Sequence, residues 1–147
     1  MAELASTEHA LQRQFIAFVR AFGLHRPEQT PCGEPVAVAE AHALLELSLA
    51  EALSQNDLAA RLQLEKSTIS RLVGILEERA WISRTRSLHD RRVIDLRLTD
   101  AGRQAAEQLS MARQAKFARL LSALPAEQHP IILEALRLLT EALYAEH

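Results

Sequence analysis

Residues 53–103 read LSQNDLAARLQLEKSTISRLVGILEERAWISRTRSLHDRRVIDLRLTDAGR, and the order of elements within this stretch decides the fold. Ser54-Gln55-Asn56-Asp57 is a capping-box variant: the Ser54 hydroxyl can accept from the Asp57 amide while the Asp57 carboxylate reaches back. It opens a short helix whose buried face is Leu58, Ala59 and Leu62, and Gln63-Leu64-Glu65 makes the turn that follows. A second helix is expected from Lys66 to about Arg79, because Ile69, Leu72, Val73 and Leu76 recur at i, i+3, i+4 and i+7. After Trp81 the period changes to two. Ile82 to Arg86 and Val93 to Leu98 read as strands, with Ile94, Leu96 and Leu98 alternating against Val93, Asp95 and Arg97. The intervening Ser87-Leu88-His89-Asp90-Arg91-Arg92 is too poor in apolar residues to be core and forms the tip of a hairpin. Thr99 then caps the next helix.

Two helices joined by a tight turn and followed by a hairpin make a winged helix-turn-helix. Burying only the Ile69, Leu72, Val73, Leu76 stripe leaves Lys66, Ser67, Thr68, Ser70 and Arg71 facing outward near the start of the second helix. That end carries free amides and the positive end of the helix dipole, which suits phosphate. Hydroxyl and guanidinium donors of this kind reach base edges when a helix lies in a major groove. The hairpin offers Arg91 and Arg92 at its tip and Arg84 and Arg86 on its strand, and an arginine on a thin tip fits a neighbouring minor groove.

Outward from this module the chain reads as helical. Leu4, Leu11, Phe15, Phe18 and Phe22 form a heptad-like stripe on a first helix reaching about Leu24, and three Phe on so narrow a stripe call for a partner surface. His25 to Pro35 holds three Pro and one Gly and must be a loop. Helix resumes from about Val38 to Ala50, with Ala41, Leu44, Leu45 and Leu47 to Leu49 expected inward. The helix opened by Thr99 should run to about Leu124 with Ala105, Leu109, Ala112, Leu120 and Leu121 inward. After a break between Pro125 and Pro130 a last helix carries Ile131, Ile132, Ala135, Leu138, Leu139 and Leu143. The expected organisation is an N-terminal helix and loop over 1–36, a winged helix-turn-helix over 37–103 and C-terminal helices over 104–147, the outer two parts forming a dimerisation scaffold. The fold class is mainly α with a small β-hairpin wing.

Composition agrees with a globular chain. In 147 residues, 48% are apolar and 24% charged, with four Gly and five Pro. No apolar run approaches the roughly 18–20 residues that cross a bilayer. The start, Met1-Ala2-Glu3-Leu4, lacks the basic head and apolar core of a signal peptide, and one cysteine excludes an internal disulfide framework, so a cytoplasmic protein with no membrane partner is expected. The net charge of −2 hides an asymmetry: residues 61–103 hold ten Lys/Arg against six Asp/Glu, +4, while the remaining seven and thirteen give −6. A cationic middle between anionic ends is what a DNA-binding module on a separate scaffold requires.

The stretch quoted above resembles the multiple-antibiotic-resistance regulator (MarR) family, most closely in STISRLV of the second helix, DRR at the wing and LRLTDAG entering the long helix. The resemblance implies a homodimeric repressor whose two winged modules occupy one near-palindromic DNA operator, released by a small amphipathic or aromatic inducer. By motif, Ser67, Thr68, Ser70 and Arg71 would read the major groove, Asp90 would brace the wing, and Arg91 or Arg92 would enter the minor groove. The inducer would lie between scaffold and module, with Phe15, Phe18, Phe22 and His42 as candidate walls. The sequence departs from the family pattern in three places. Ala80 stands where glycine is usual, so that a left-handed cap there is strained. Gly74 falls inside the second helix, and Ser87-Leu88 replaces a more acidic or proline-bearing wing entry.

Other chemistries are weighed against this one. Cys32 beside Gly33 could sense oxidants, but a reactive thiol needs a lowered pKa, and a plain loop cysteine is the simpler reading. His25, Cys32 and His42 flank one loop without the tight spacing of a metal site, so no metal or other cofactor is expected. No G-x-S-x-G, phosphate loop, H-E-x-x-H or paired catalytic carboxylates is present, which argues against an enzyme. A helical dimer that binds only other proteins, keeping the fold without reading DNA, is the competing class.

Overall fold

The computed structural model describes residues 2–147, and the side chains from Glu3 onward. Among these residues the order is α1 (Ala2–Phe22), α2 (Val38–Leu49), β1 (Leu53–Ser54), α3 (Gln55–Leu62), α4 (Lys66–Glu78), β2 (Ile82–Arg86), β3 (Ile94–Leu98), α5 (Asp100–Ser122) and α6 (His129–Ala145), with one 3₁₀ turn at Ala126–Gln128. The mainly helical chain with a small antiparallel wing expected from the sequence is therefore what is observed. Two compact units are present, one ending at Ala112 and the other running Arg113–His147.

In the first unit, α1 stops where Gly23 turns left-handed at φ 95°, a conformation glycine adopts without a Cβ penalty. The loop that follows closes on Thr30, a buried polar residue. Its backbone N–H donates to the Glu34 carbonyl at 3.0 Å, and its hydroxyl accepts from the Glu34 N–H at 3.1 Å. One core then gathers Ala41, Ala43, Leu44 and Leu47 of α2, Leu58 of α3, the four-residue stripe of α4, and Ile82, Leu96 and Leu98 of the sheet. Ala106 and Leu109 of α5 complete it.

Several expectations are corrected. The wing is not a lone hairpin: β1 adds a third antiparallel strand, in the order β1-β3-β2, with Leu53 opposite Leu96 and Ser54 opposite Asp95. Two residues are too short to show a period. Leu49 points away from the core, 79% exposed, because α2 ends there and its last turn has rotated past the buried stripe. Glu40, which was not among the residues expected inward, is only 6% exposed. Ile94, at the outer end of β3, is 47% exposed, since nothing but the wing lies beneath it.

The second unit holds the end of α5, the 3₁₀ turn and α6. His129 closes the corner, its Nε2 lying 3.1 Å from the Leu121 carbonyl and 3.3 Å from that of Leu124, at the unsatisfied end of α5. Leu120 and Leu121, expected inward, are exposed on the single chain, as are Ile131, Leu138, Leu139 and Leu143 of α6.

Candidate nucleic-acid interface

The short helix α3 forms because Ser54 caps it: the Asp57 N–H donates to the Ser54 hydroxyl at 3.0 Å. It ends at Gln63, which is left-handed at φ 53° and donates its N–H to the carbonyls of Ala59 and Ala60. Leu64 N–H bonds the Ala59 carbonyl at 3.0 Å, and Glu65 returns to extended backbone before α4 begins. Leu58 of α3 and the Ile69, Leu72, Val73, Leu76 stripe of α4 are all buried. That seam fixes the rotation of α4 about its own axis. Lys66, Ser67, Ser70 and Arg71 are consequently exposed, and Thr68 is half-buried at the edge of the seam.

The C-terminal end of α4 is held from two directions. Arg79 Nε approaches the buried Glu40 carboxylate of α2 to 2.9 Å, although this is an ionic contact without a well-directed hydrogen bond. The same guanidinium lies 4.8 Å from the centroid of the Trp81 ring, in a cation–π arrangement. Ala80 turns left-handed at φ 58°, and its carbonyl accepts from the Thr99 hydroxyl at 2.6 Å. Thr99 also caps α5, accepting from Gly102 N–H at 3.0 Å, and its own N–H donates to the Trp81 carbonyl at 3.0 Å. One threonine thus ties the end of α4, the base of β2 and the start of α5 together.

In the wing, β2 pairs with β3 from Ile82 opposite Leu98 to Arg86 opposite Ile94. The turn is braced by Asp90. Its carboxylate accepts from the Arg92 N–H at 3.0 Å, its carbonyl accepts from Val93 N–H at 3.0 Å, and Ser87 N–H closes the ribbon on the Val93 carbonyl at 2.9 Å. The Arg92 side chain is 94% exposed and lies 3.6 Å from the Asp90 carboxylate, while Arg91 is exposed beside it. Arg86 is folded back onto the turn, donating to the Arg91 carbonyl at 3.3 Å. Arg84 is paired with Glu77 on the last turn of α4. The sequence reading missed that pair, although a signal for it exists: Arg84 is in phase with Ile82 and so shares the sheet face turned toward the core.

The remaining sequence candidates lie elsewhere. Phe18 and Phe22 stack with ring centroids 5.5 Å apart, Phe15 is half-exposed on the same helix, and His42 is exposed on α2. Cys32 is half-buried, its Sγ 2.9 Å from the Thr30 hydroxyl. Among the described residues no group of three His, Cys, Asp or Glu is placed to hold a metal ion, and no helix is long and apolar enough to cross a membrane.

Comparison with known proteins places this arrangement. A family profile described as MarR family matches residues 35–93, from the loop before α2 to the end of the wing turn. The HTH-type transcriptional repressor MdtR of Bacillus subtilis (strain 168) is 34% identical over 105 residues, which cover 70% of this chain and 68% of MdtR. Among solved structures, Streptococcus pneumoniae FabT in complex with DNA aligns over 100% of both chains with a TM-score of 0.72 at 18% identity. PcaV from Streptomyces coelicolor, in complex with its natural ligand, aligns over 92% of each chain with a TM-score of 0.68 at 24% identity. At those identities the two structures share the fold.

Proposed function

Because the chain belongs to the MarR family of DNA-binding transcriptional regulators, we propose that it acts as a ligand-responsive repressor, binding a near-palindromic operator as a homodimer. The observation that carries this reading is the rotation of α4. Four buried side chains lock the helix with Lys66, Ser67, Ser70 and Arg71 outward at its N-terminal end, where amides and dipole favour phosphate. On this reading Ser67, Ser70 and Arg71 meet base edges, with Thr68 at the margin of the contact and Lys66 on phosphate. Arg91 and Arg92 enter the minor groove from a tip that Asp90 keeps in shape, and Arg86 supports that tip from behind.

The dimer is supported by unsatisfied apolar surface. Leu4, Leu11, Phe15, Ile16 and Phe18 are exposed on α1, and Ile131, Leu136, Leu138, Leu139 and Leu143 are exposed on α6. Apolar surface of this extent marks an association site. Two modules on successive major grooves would place their α4 helices about 34–36 Å apart. Repression is supported by the similarity to the repressor MdtR, and response to a small ligand by the similarity to PcaV in complex with its natural ligand. Phe15, Phe18, Phe22 and His42 are the proposed inducer walls.

Titration of DNA from upstream of its own gene tests the reading. Affinity should fall steeply with salt while a preference for one site persists, and sedimentation should give two chains per site. Binding with neither property would support a protein-binding adaptor instead.

A further inference from the structure

Arg84, Arg86, Arg91 and Arg92 of the wing are not equivalent. Ile82, Arg84 and Arg86 occupy one face of β2 and stand opposite Leu98, Leu96 and Ile94 of β3. Ile82, Leu96 and Leu98 of that face are buried, so it is the core side of the ribbon. Arg84 is the first residue on this face beyond the core. Its stem starts beside buried Leu96, and its guanidinium is paired with Glu77 on the last turn of α4. Glu77 belongs to the opposite end of α4 from Lys66, Ser67, Ser70 and Arg71. Both partners are about one-third exposed, 38% and 35%, so the pair adds little to global stability. What it does fix is geometry: it joins the strand that leads to the wing tip to the helix that carries the outward donors.

We infer that Arg84 is a positioning residue, holding the wing at a set angle to α4 through Glu77, and not a ligand of DNA phosphate. The inference rests on the DNA-binding reading given above. The Glu77 carboxylate offsets the field of the Arg84 guanidinium and occupies part of its donor fork, so a phosphate gains less from it than from an unpaired arginine, whereas a strut between two reading elements governs whether both grooves are reached at once.

The test compares the full-length wild type with Glu77→Gln, Arg84→Met, the double variant, and the charge-swapped Glu77→Arg/Arg84→Glu protein. Each is titrated with its own upstream DNA at several salt concentrations. Steep salt dependence and site preference in the wild type test the DNA reading separately; their absence would remove that reading, whatever the variants do. Given that binding, Glu77→Gln should weaken specific affinity about two- to fivefold, even though it removes a negative charge from a protein that binds DNA. Arg84→Met should weaken it similarly with the slope of log affinity against log salt unchanged, the double variant should be no worse than either single one, and the swapped protein should recover. Tighter binding by Glu77→Gln, a slope lower by about one in Arg84→Met, no recovery in the swapped protein, or unchanged affinity in both single variants would each overturn the inference. Melting curves recorded on the same samples identify any variant that is not folded, and the swapped protein, which keeps the pair, then carries the comparison.

Discussion

A Cβ built on Gly102 would lie 1.9 Å from the carbonyl oxygen of Trp81 and 2.9 Å from its carbonyl carbon. The first turn of α5 is pressed against the backbone that leaves α4, and Thr99 holds the two there through its bonds to Ala80 and Gly102. No flexible side chain is available to give way. Gly102→Ala should therefore destabilise the fold by about 2 kcal/mol, read as a lower urea midpoint with an unchanged slope.

Helix α4 and its exit hold two residues in each other's preferred conformations. Gly74 lies within the helix with open space where a Cβ would go, and Ala80 sits left-handed at φ 58°. Gly74→Ala should stabilise by about 0.5–1 kcal/mol. Ala80→Gly should gain about 0.5–1 kcal/mol, the relief of strain exceeding the added freedom of the unfolded chain. Neither touches a proposed DNA contact, so melting temperature should rise while affinity for DNA stays constant.

Removing Arg79 leaves the Glu40 carboxylate buried and without a counter-charge. Because Arg79 itself is 41% exposed, Arg79→Ala should cost about 1–2 kcal/mol in chemical denaturation. Adding Glu40→Gln to that variant should recover part of the loss, because the residue left behind is then neutral. A loss that grows with the second substitution would show that the pair is not the source.

Arg71→Ala and Arg92→Ala should each weaken specific DNA binding by about 1–3 kcal/mol without changing the melting temperature, since both side chains are exposed. Competition titration against a scrambled site measures the effect. Wild-type affinity in both variants would contradict the proposed contacts.

Cys32→Ser should leave DNA affinity unchanged, and peroxide should affect wild type and variant equally. The thiol is half-buried against the Thr30 hydroxyl in a loop that Thr30 and Glu34 pin by backbone hydrogen bonds. Loss of binding in peroxide by the wild type alone would assign it a redox role.

Residues whose environment is set by local repetition could be read in advance. The α4 stripe, the Ser54 cap, the Gln63 turn and the strand Ile82–Arg86 follow from spacing and from the chemistry of single side chains. The strain at Ala80 was legible from the family resemblance instead, since glycine is usual at that position. Contacts between distant segments were not. β1 is two residues long, the burial of Glu40 depends on an arginine 39 positions away, and the closeness of Gly102 to Trp81 exists only once α5 has docked. Arg84 belongs between these cases: its phase with Ile82 was visible, but its partner on α4 was not.

The placement of β3 between β1 and β2 has a consequence for how the protein behaves when crowded. β1 covers only the inner part of β3, so β2 is the long open edge of the sheet, with backbone groups free to pair with a strand from another molecule. That edge is five residues, Ile82 to Arg86, and two of them are arginines. Short length and charged side chains both oppose strand addition. The wing can therefore project from the molecule without seeding fibrils, and replacing Arg84 and Arg86 together by apolar residues would forfeit that protection as well as the geometry of the tip.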